Sequence, residues 1–366
     1  MEQQHGSISK DYAPSIASVL YGQALGDAYG MPSELLSFSK VKELFGEIDS
    51  FEAGHPENPA SAHFVAAEIT DDTQMALAIC DAIIEAQGIP SDNLVAKHIL
   101  IWADSYGVWD KNILGPSSSK ALSAIKNGSS IDELENLGTT NGCVMRIAPL
   151  GCVLPLPNLV EPSGVKRFLS HIYACTSPTH KSKVALSAAS AVVAFISASI
   201  EGENPEDALD IALKISSTAY ALEDEVFYSN PASRIAGATF LYKQIKAGKI
   251  TLSDLSIDID ADLCALDEAA YFIREYVGTT MEISDTVASA FVAAFASNFK
   301  VRTCAKLCAN LGGDTDTIGA IACAICASQG SLENFDTNEL DQLEAVNNLG
   351  IKEKAKMLSD IRKSYV

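Results

Sequence analysis

Asp72-Thr73-Gln74-Met75-Ala76-Leu77-Ala78-Ile79-Cys80-Asp81-Ala82-Ile83-Ile84-Glu85-Ala86 contains neither glycine nor proline, and Met75, Ala78, Ile79, Ala82 and Ile83 recur at the three-and-four spacing of a helix with one buried stripe. The same spacing predicts helices over 93–105, 120–126, 165–173, 183–200, 207–219, 233–246, 266–277, 286–298, 317–327 and 353–364. Stops come from Gly88-Ile89-Pro90, Gly115-Pro116, Gly128, Leu154-Pro155-Leu156-Pro157, Pro162 and Gly248. None of these is long enough to link independent domains. The pattern therefore predicts a single all-α domain over 1–366, its core roughly 14–330 and a C-terminal helical extension over 331–366. A short β excursion is expected between Ile48 and Phe64, where Gly54-His55-Pro56-Glu57-Asn58-Pro59 interrupts any helix.

With 48% hydrophobic and 20% charged residues, the 366-residue chain can bury a large core. Its 26 Lys and Arg stand against 47 Asp and Glu, a formal charge of −21. Such a balance excludes gripping a phosphate backbone or an anionic lipid surface, so neither nucleic acid nor membrane is an expected partner. The apolar stretch from Val184 to Ile200 is broken by Ser187, Ser190, Ser197 and Ser199, short of the roughly 18 uninterrupted residues of a spanning helix, and reads as a buried core helix. The residues from Met1 to Pro14 are polar and carry no secretory pattern, which points to the cytoplasm. Of nine cysteines, Cys80, Cys304, Cys308, Cys323 and Cys326 lie inside apolar runs, as reduced core thiols do. Cys323 and Cys326 form one Cys-x-x-Cys without a second pair to complete a zinc site.

Two acidic clusters carry the chemistry. In Ile69-Thr70-Asp71-Asp72-Thr73-Gln74, Thr70 can cap the helix that follows, with the acids complementing its dipole. In Leu311-Gly312-Gly313-Asp314-Thr315-Asp316-Thr317-Ile318-Gly319 the acids stand between apolar residues, where carboxylates are costly unless compensated, and no Lys or Arg lies in the cluster. Asp71, Asp72, Asp314 and Asp316 supply four negative charges that two divalent cations would balance. Their carboxylates, with the hydroxyls of Thr70 and Thr317, are hard oxygen ligands that select Mg²⁺ or Mn²⁺ over zinc. Gly312 and Gly313 allow the tight turn this convergence needs.

Three further stretches leave alternatives open. Tyr21-Gly22-Gln23-Ala24-Leu25-Gly26-Asp27-Ala28-Tyr29-Gly30-Met31-Pro32-Ser33-Glu34 spaces glycines at a helix end, either for close helix packing or to present Glu34 to a site. In Thr139-Thr140-Asn141-Gly142-Cys143-Val144-Met145-Arg146, Arg146 stands in an apolar run and reads as half of a structural ion pair or as a ligand contact. His180, in Ser177-Pro178-Thr179-His180, is a capping or solvated residue, or a pocket residue.

Taken together, Gly22-x-x-x-Gly26-Asp27-Ala28-x-Gly30, Thr70-Asp71-Asp72-Thr73, Asn141-Gly142-x-x-Met145-Arg146, Thr179-His180 and Gly312-Gly313-Asp314-Thr315-Asp316-Thr317 resemble the ADP-ribosylglycohydrolase family, which includes dinitrogenase reductase activating glycohydrolase. The motifs come in the family's order from about Ser18 to Gly330. Gly30-Met31-Pro32-Ser33-Glu34 and Leu114-Gly115-Pro116 resemble an uncharacterised bacterial branch of it.

The resemblance implies an orthogonal multi-helix bundle with two Mg²⁺ or Mn²⁺ ions. The metal ligands would be Thr70, Asp71, Asp72, Asp314, Asp316 and Thr317, and Glu34 would sit on a mobile loop above them. Asn141, Gly142, Met145 and His180 would line the substrate pocket with Gly115, Ser117 and Ser118, at a helix start suited to phosphate. The implied reaction is hydrolysis of an ADP-ribosyl N- or O-glycosidic bond on a protein or small molecule, with Glu34 or Asp316 as general base. Two departures are visible. Some relatives carry an acid where this chain has Ile113, which leaves the acid/base role to Glu34 or to Asp316. Many place an aromatic in the segment matching Gly278-Thr279-Thr280-Met281, and its absence here opens a second reading, an N-glycosidase acting on a nucleoside or other small ribosyl compound. A non-catalytic relative is the third. Monomer and small homo-oligomer are both compatible with the sequence.

Overall fold

The computed structural model describes residues 10–109, 114–135, 137–221, 228–257 and 265–365. Ile113, and with it the first departure, lies outside them. The described residues form sixteen α-helices: α1 (Ala13–Gly30), α2 (Phe38–Phe45), α3 (Asp71–Ala86), α4 (Asp92–Tyr106), α5 (Pro116–Lys126), α6 (Ala148–Val153), α7 (Pro162–Thr176) and α8 (Lys183–Glu201) in the first half. α9 (Pro205–Tyr220), α10 (Pro231–Lys246), α11 (Ala265–Phe272), α12 (Ile283–Ala296), α13 (Val301–Ala309), α14 (Thr315–Ser328), α15 (Thr337–Asn347) and α16 (Ile351–Lys363) follow. The architecture is all-α, as the periodicity predicts.

At the centre lie α1 and α14, packed antiparallel. Every residue of α1 from Ile16 to Gly30 is buried, and so is all of α14. Their seam is made by glycines: a Cβ added at Gly26 would stand 2.0 Å from the carbonyl oxygen of Gly319, and one at Gly30 would stand 2.3 Å from that of Thr315. Only residues without a side chain let two helix backbones approach so closely. The seam brings the end of α1 against the start of α14, which is where Glu34 and the second acidic cluster follow.

On α3 the predicted stripe is buried, and Thr70 caps the helix by accepting the Asp72 N–H. α8 is 19 residues long and apolar enough to span a bilayer, but 94% of its most apolar 18-residue stretch is buried within the protein, so it is a core helix. Ser187 and Ser197 are satisfied inside the core, Ser197 donating to the Leu154 carbonyl at 2.7 Å. The last helix is tied back by Arg362, whose guanidinium donates to the Gly151 and Cys152 carbonyls and pairs with Glu201 at 2.8 Å. All eight cysteines among the described residues are buried free thiols. Burial holds the Cys323 and Cys326 thiols well above their ordinary range.

Two expectations are corrected. The helix expected over 266–277 is α-helical only to Phe272 and ends in a wider π-helical turn, Ile273–Val277. The β excursion does not form, and no strand occurs among the described residues, whose single ladder-type pairing is the bridge between Thr140 and Glu282. Residues 48–64 instead fold around Asn58. Its buried side chain donates to the carbonyls of Pro32 (3.1 Å) and Glu34 (2.9 Å), so the loop buttresses the segment that carries Glu34.

Candidate active site

The end of α1 is pinned to α14 by side chains as well as by glycines. Thr315 Oγ1 donates to the Gly30 carbonyl at 2.8 Å, and Ser33 Oγ donates to the Ala309 carbonyl at 2.7 Å. Beyond Glu34 the chain pairs with the glycine turn: Leu35 N donates to Gly313 O at 2.7 Å and Gly313 N to Leu36 O at 2.8 Å. Gly312 and Gly313 both adopt left-handed backbone angles (φ +76° and +85°), which lets Asp314 N reach back to Thr279 O at 2.9 Å. Glu34 is therefore tied through its neighbours to the second acidic cluster and through its own carbonyl to Asn58.

α3 is aimed at the same place by a residue to which sequence reasoning assigned no role. Asp27, fully buried on α1, accepts from Thr70 N (3.0 Å), Thr70 Oγ1 (2.9 Å) and Thr73 N (3.1 Å). A carboxylate on one helix thus caps the first turn of another, satisfying amides that the helix itself leaves open. Gln23, one turn earlier on α1, donates to the Asp72 carbonyl (3.2 Å) and the Met145 carbonyl (2.8 Å). The signal for Asp27 was available: it is an acid flanked by Gly26 and Gly30 in a helix otherwise free of charge.

The outcome is a set of acids that disturb one another. Glu34 titrates at about 8, raised by burial and then by Asp71, Asp314 and Asp27. Asp71 is raised to about 7 by burial and by Asp27, and Asp27 itself to about 6 by burial against the amide hydrogen bonds that hold it down. Asp72, Asp314 and Asp316 are also raised, burial being the leading cause in each. Among the described residues none of these six acids has a Lys or Arg within ion-pair distance. The buried oxygens Asp72 Oδ1 and Asp316 Oδ1 have no hydrogen-bond partner among the described residues. Thr317, on the first turn of α14, lies close enough to Asp72 and Asp314 for its hydroxyl to lower both.

Uncompensated negative charge and unsatisfied hard oxygens fit a divalent cation of the Mg²⁺ or Mn²⁺ type. Asp71, Asp72, Asp314 and Asp316, with Thr70 and Thr317, are the donors placed to hold one. Among the described residues no three acid, histidine or cysteine side chains already close on one point as a finished shell. Asp72 instead accepts a hydrogen bond from Thr70 Oγ1, and Asp314 accepts one from the Asn141 amide.

The expected substrate-lining residues divide into two groups. Asn141 belongs with the acids: its side-chain amide donates to Asp314 Oδ2 and to Thr286 Oγ1 (3.0 Å). Gly142, Ser118 and His180 cluster beside it. A Cβ at Gly142 would lie 3.0 Å from Ser118 Oγ and 3.3 Å from His180 Cε1. His180 is fully buried between Thr140 Oγ1 (3.0 Å) and Thr179 Oγ1 (2.8 Å), and burial together with Arg146 lowers it to about 3, so it is neutral. Ser117 lies next to Thr140 at 3.2 Å. Met145 is buried with its carbonyl on Gln23, whereas Gly115 is an exposed helix cap at the outer edge. Among the described residues Arg146 has no carboxylate within ion-pair distance, so the ion-pair alternative does not form there, and its guanidinium donates to the Gly142 carbonyl and Thr179 Oγ1. A groove of about 780 Å³ lined by Leu159, Val165, Leu169 and Leu186 carries none of these residues.

Comparison with known proteins decides the family: the model of the ADP-ribosylglycohydrolase family matches residues 9–363. The chain belongs to this family. It is 38% identical over 347 residues to the uncharacterized protein YegU of Escherichia coli (strain K12), covering 95% of this chain and 97% of that one. An uncharacterized protein of Archaeoglobus fulgidus is 27% identical over 312 residues, 85% of this chain and 86% of the other. A solved structure described as an ADP-ribosylglycohydrolase-related protein complex shares the fold, with a TM-score of 0.64 and 22% identity over 96% of this chain and 99% of that one. Family membership supports a glycohydrolase activity.

Proposed function

We propose that this glycohydrolase cleaves an ADP-ribosyl N- or O-glycosidic bond at the acid cluster, with divalent cations held by Asp71, Asp72, Asp314 and Asp316 together with Thr70 and Thr317. The observation that carries the reading is that burial raises Glu34 and these four aspartates, brought near one another by the ends of α1, α3 and α14, with no basic partner among the described residues. Bound Mg²⁺ or Mn²⁺ would supply the missing positive charge and the Lewis acidity that activates water and orients ribose hydroxyls.

The chain's own residues do the rest. Glu34 lies outside the two ligand clusters, and burial followed by Asp71 and Asp314 raises it to about 8 before a cation binds, so it is the acid placed to hold and release a proton. That proton passes to the departing nitrogen or oxygen as the bond to the anomeric carbon breaks. The Glu34 carboxylate so formed takes a proton from the water whose oxygen bonds to the anomeric carbon, which returns the site to its starting state. Asp316, buried at the foot of α14, stabilises the positive charge that develops on the ribose. Asn141 holds Asp314 in place. Gly142, Ser118 and His180 shape the neighbouring wall, where an anionic part of the substrate would lie.

A second reading, an N-glycosidase acting on a nucleoside or small ribosyl compound, is favoured by one observation. The segment from Gly278 to Met281 offers the exposed, flexible Met281, 43% accessible, where an aromatic would hold an adenosine group. Thermal shift with ADP-ribose, AMP, ribose 5-phosphate and free nucleosides, with and without Mg²⁺, separates the two, because a ligand bound only by the native state raises its melting temperature. ADP-ribose is expected to stabilise most, and only with the cation present. Stronger stabilisation by a nucleoside replaces the first reading with the second.

A further inference from the structure

Leu35, the residue after Glu34, has a left-handed backbone (φ +60°) and an exposed side chain. A leucine in that conformation is strained and persists only where its surroundings hold it. Ahead of Glu34 the segment is anchored by Ser33 on the Ala309 carbonyl and by Asn58 on the Glu34 carbonyl. Behind it the backbone pairs at Leu35 and Leu36 with Gly313, and α2 then begins at Phe38 with Val41 as its one fully buried residue. So short and lightly packed a helix cannot hold the segment by itself.

What grips Phe38 comes from the far side of the glycine turn. The Arg274 guanidinium carbon lies 3.8 Å from the centre of the Phe38 ring and 4.5 Å from that of Tyr271, so the half-buried cation rests against two aromatic rings. Arg274 belongs to the π-helical turn Ile273–Val277, which is closed by the Gly278 N–H on the Ile273 carbonyl at 2.7 Å. Such turns insert one residue into a helix, redirect the side chains around it, and recur at functional sites. The same stretch runs on to Thr279, whose carbonyl accepts from Asp314 N at 2.9 Å. Phe38 also abuts the glycine turn, since a Cβ added at Gly312 would stand 2.6 Å from Phe38 N. Three segments, 34–38, 273–279 and 312–314, thus close a ring. Two of its joints are backbone to backbone, and the third is Arg274 on Phe38.

We infer that Arg274 is a positioning residue for Glu34: by gripping Phe38 it closes the ring that fixes the Glu34 segment beside the acid cluster. It acts through Phe38 and not on the substrate. The inference deepens the proposed role of Glu34 as the acid of the reaction and rests on it.

The test reads hydrogen exchange by mass spectrometry on peptides across 33–45, in wild type, Arg274→Ala, Arg274→Lys and Phe38→Leu. Arg274→Ala is expected to speed exchange there roughly tenfold, while peptides of α3 and of 139–147 stay within about twofold. Phe38→Leu should do the same, and the double variant should go no further than either alone, because both changes remove one contact. Arg274→Lys keeps a cation beside the ring and should restore most of the protection. Turnover in Mg²⁺ is measured on the same proteins with two probes, a peptide ADP-ribosylated on serine and one ADP-ribosylated on arginine. In Arg274→Ala kcat should fall roughly tenfold with KM within about twofold, since a displaced Glu34 impairs proton transfer rather than binding. Should Arg274→Ala not fold, Arg274→Met, which keeps the apolar stem and drops the charge, takes its place. Unaltered exchange over 33–45, exchange that rises equally throughout the protein, or a loss confined to KM overturns the inference. Wild type that cleaves neither probe, while Arg274→Ala still loosens 33–45 alone, sinks the ADP-ribosyl reading and keeps Arg274 as the residue that holds Glu34.

Discussion

Two charged regions meet at the Asn141–Cys143 turn, and they solve opposite problems in the same way. Among the described residues, six acids gather on the Asn141 side without a basic partner, and on the Gly142 side Arg146 is buried without an acidic one. Were the regions merely structural, Asp71 and Arg146 would be expected to pair, since breaking up buried charges costs several kcal/mol. Each is stabilised by dipoles instead: backbone amides on Asp27, the Asn141 amide on Asp314, carbonyls and Thr179 on Arg146. On the proposed reading, the charge left unpaired on the acidic side is what a divalent cation would take up.

The contrast breaks most severely at Asp316. Asp316→Asn removes a buried charge that has no partner on one oxygen. Turnover should fall by roughly 10³-fold, since on the proposed mechanism the substitution removes both a cation ligand and the carboxylate that stabilises the developing charge. The same change should raise the melting temperature of chelator-treated protein, by relieving repulsion from Glu34, Asp72 and Asp314. Mg²⁺ should then stabilise the variant less than it does the wild type. Full activity in Asp316→Asn, measured alongside bound metal by elemental analysis, would remove the acid cluster from the chemistry.

The next effect concerns the seam that brings the two acidic ends together. A Cβ at Gly26 would meet the Gly319 carbonyl oxygen at 2.0 Å, and neither backbone can yield without moving a whole helix. Gly26→Ala should cost about 3 kcal/mol and weaken cation binding in the same step, because α14 carries Asp316 away from α1. Gly237→Ala is the control. Gly237 faces open space on α10, so the same substitution there should be neutral or stabilise by roughly 0.5–1 kcal/mol. Equal effects at the two sites would mean that the seam does not set the geometry of the acids.

These contacts also show why some of the molecule is legible in its sequence and some is not. Helices with one wet face, such as α3, announce themselves by a stripe. α1 is buried all round, so it has no stripe, and only its glycine spacing betrays it. Residues 48–64 contain the Gly and Pro that end a helix, but the bonds from Asn58 to Pro32 and Glu34 join segments more than twenty residues apart, and no local pattern encodes them. The acid clusters are conspicuous because four carboxylates in apolar surroundings violate ordinary patterning. Asp27 is a single acid whose partner amides lie more than forty residues away, so its capping role becomes visible only in three dimensions. Arg146 misleads for a related reason, since the carbonyls that accept its hydrogen bonds belong to every residue and leave no trace in composition.

The smallest expected effect sharpens the comparison through pH. Glu34 holds its proton up to about 8 in the folded protein and Asp71 to about 7, against about 4 in an unfolded chain. The folded state therefore binds more protons than the unfolded one in this range, and stability falls as pH rises towards the folded values. His180 works the other way. It titrates at about 3 when folded and about 6.5 when unfolded, so it costs stability only as pH falls below 6.5. Between about pH 6.5 and 8 the acids act alone. Chelator-treated protein should lose on the order of 1 kcal/mol across that window, read as a falling melting temperature. With Mg²⁺ present the decline should vanish or reverse, because a cation favours the ionised carboxylates whose repulsion causes it. His180→Asn should leave this window unchanged and flatten only the limb below pH 6.5. A melting temperature that is level from 6.5 to 8 in chelator, or that falls equally with Mg²⁺, would mean that the acids are not held in mutual repulsion, and the contrast with Arg146 would lose its acidic half.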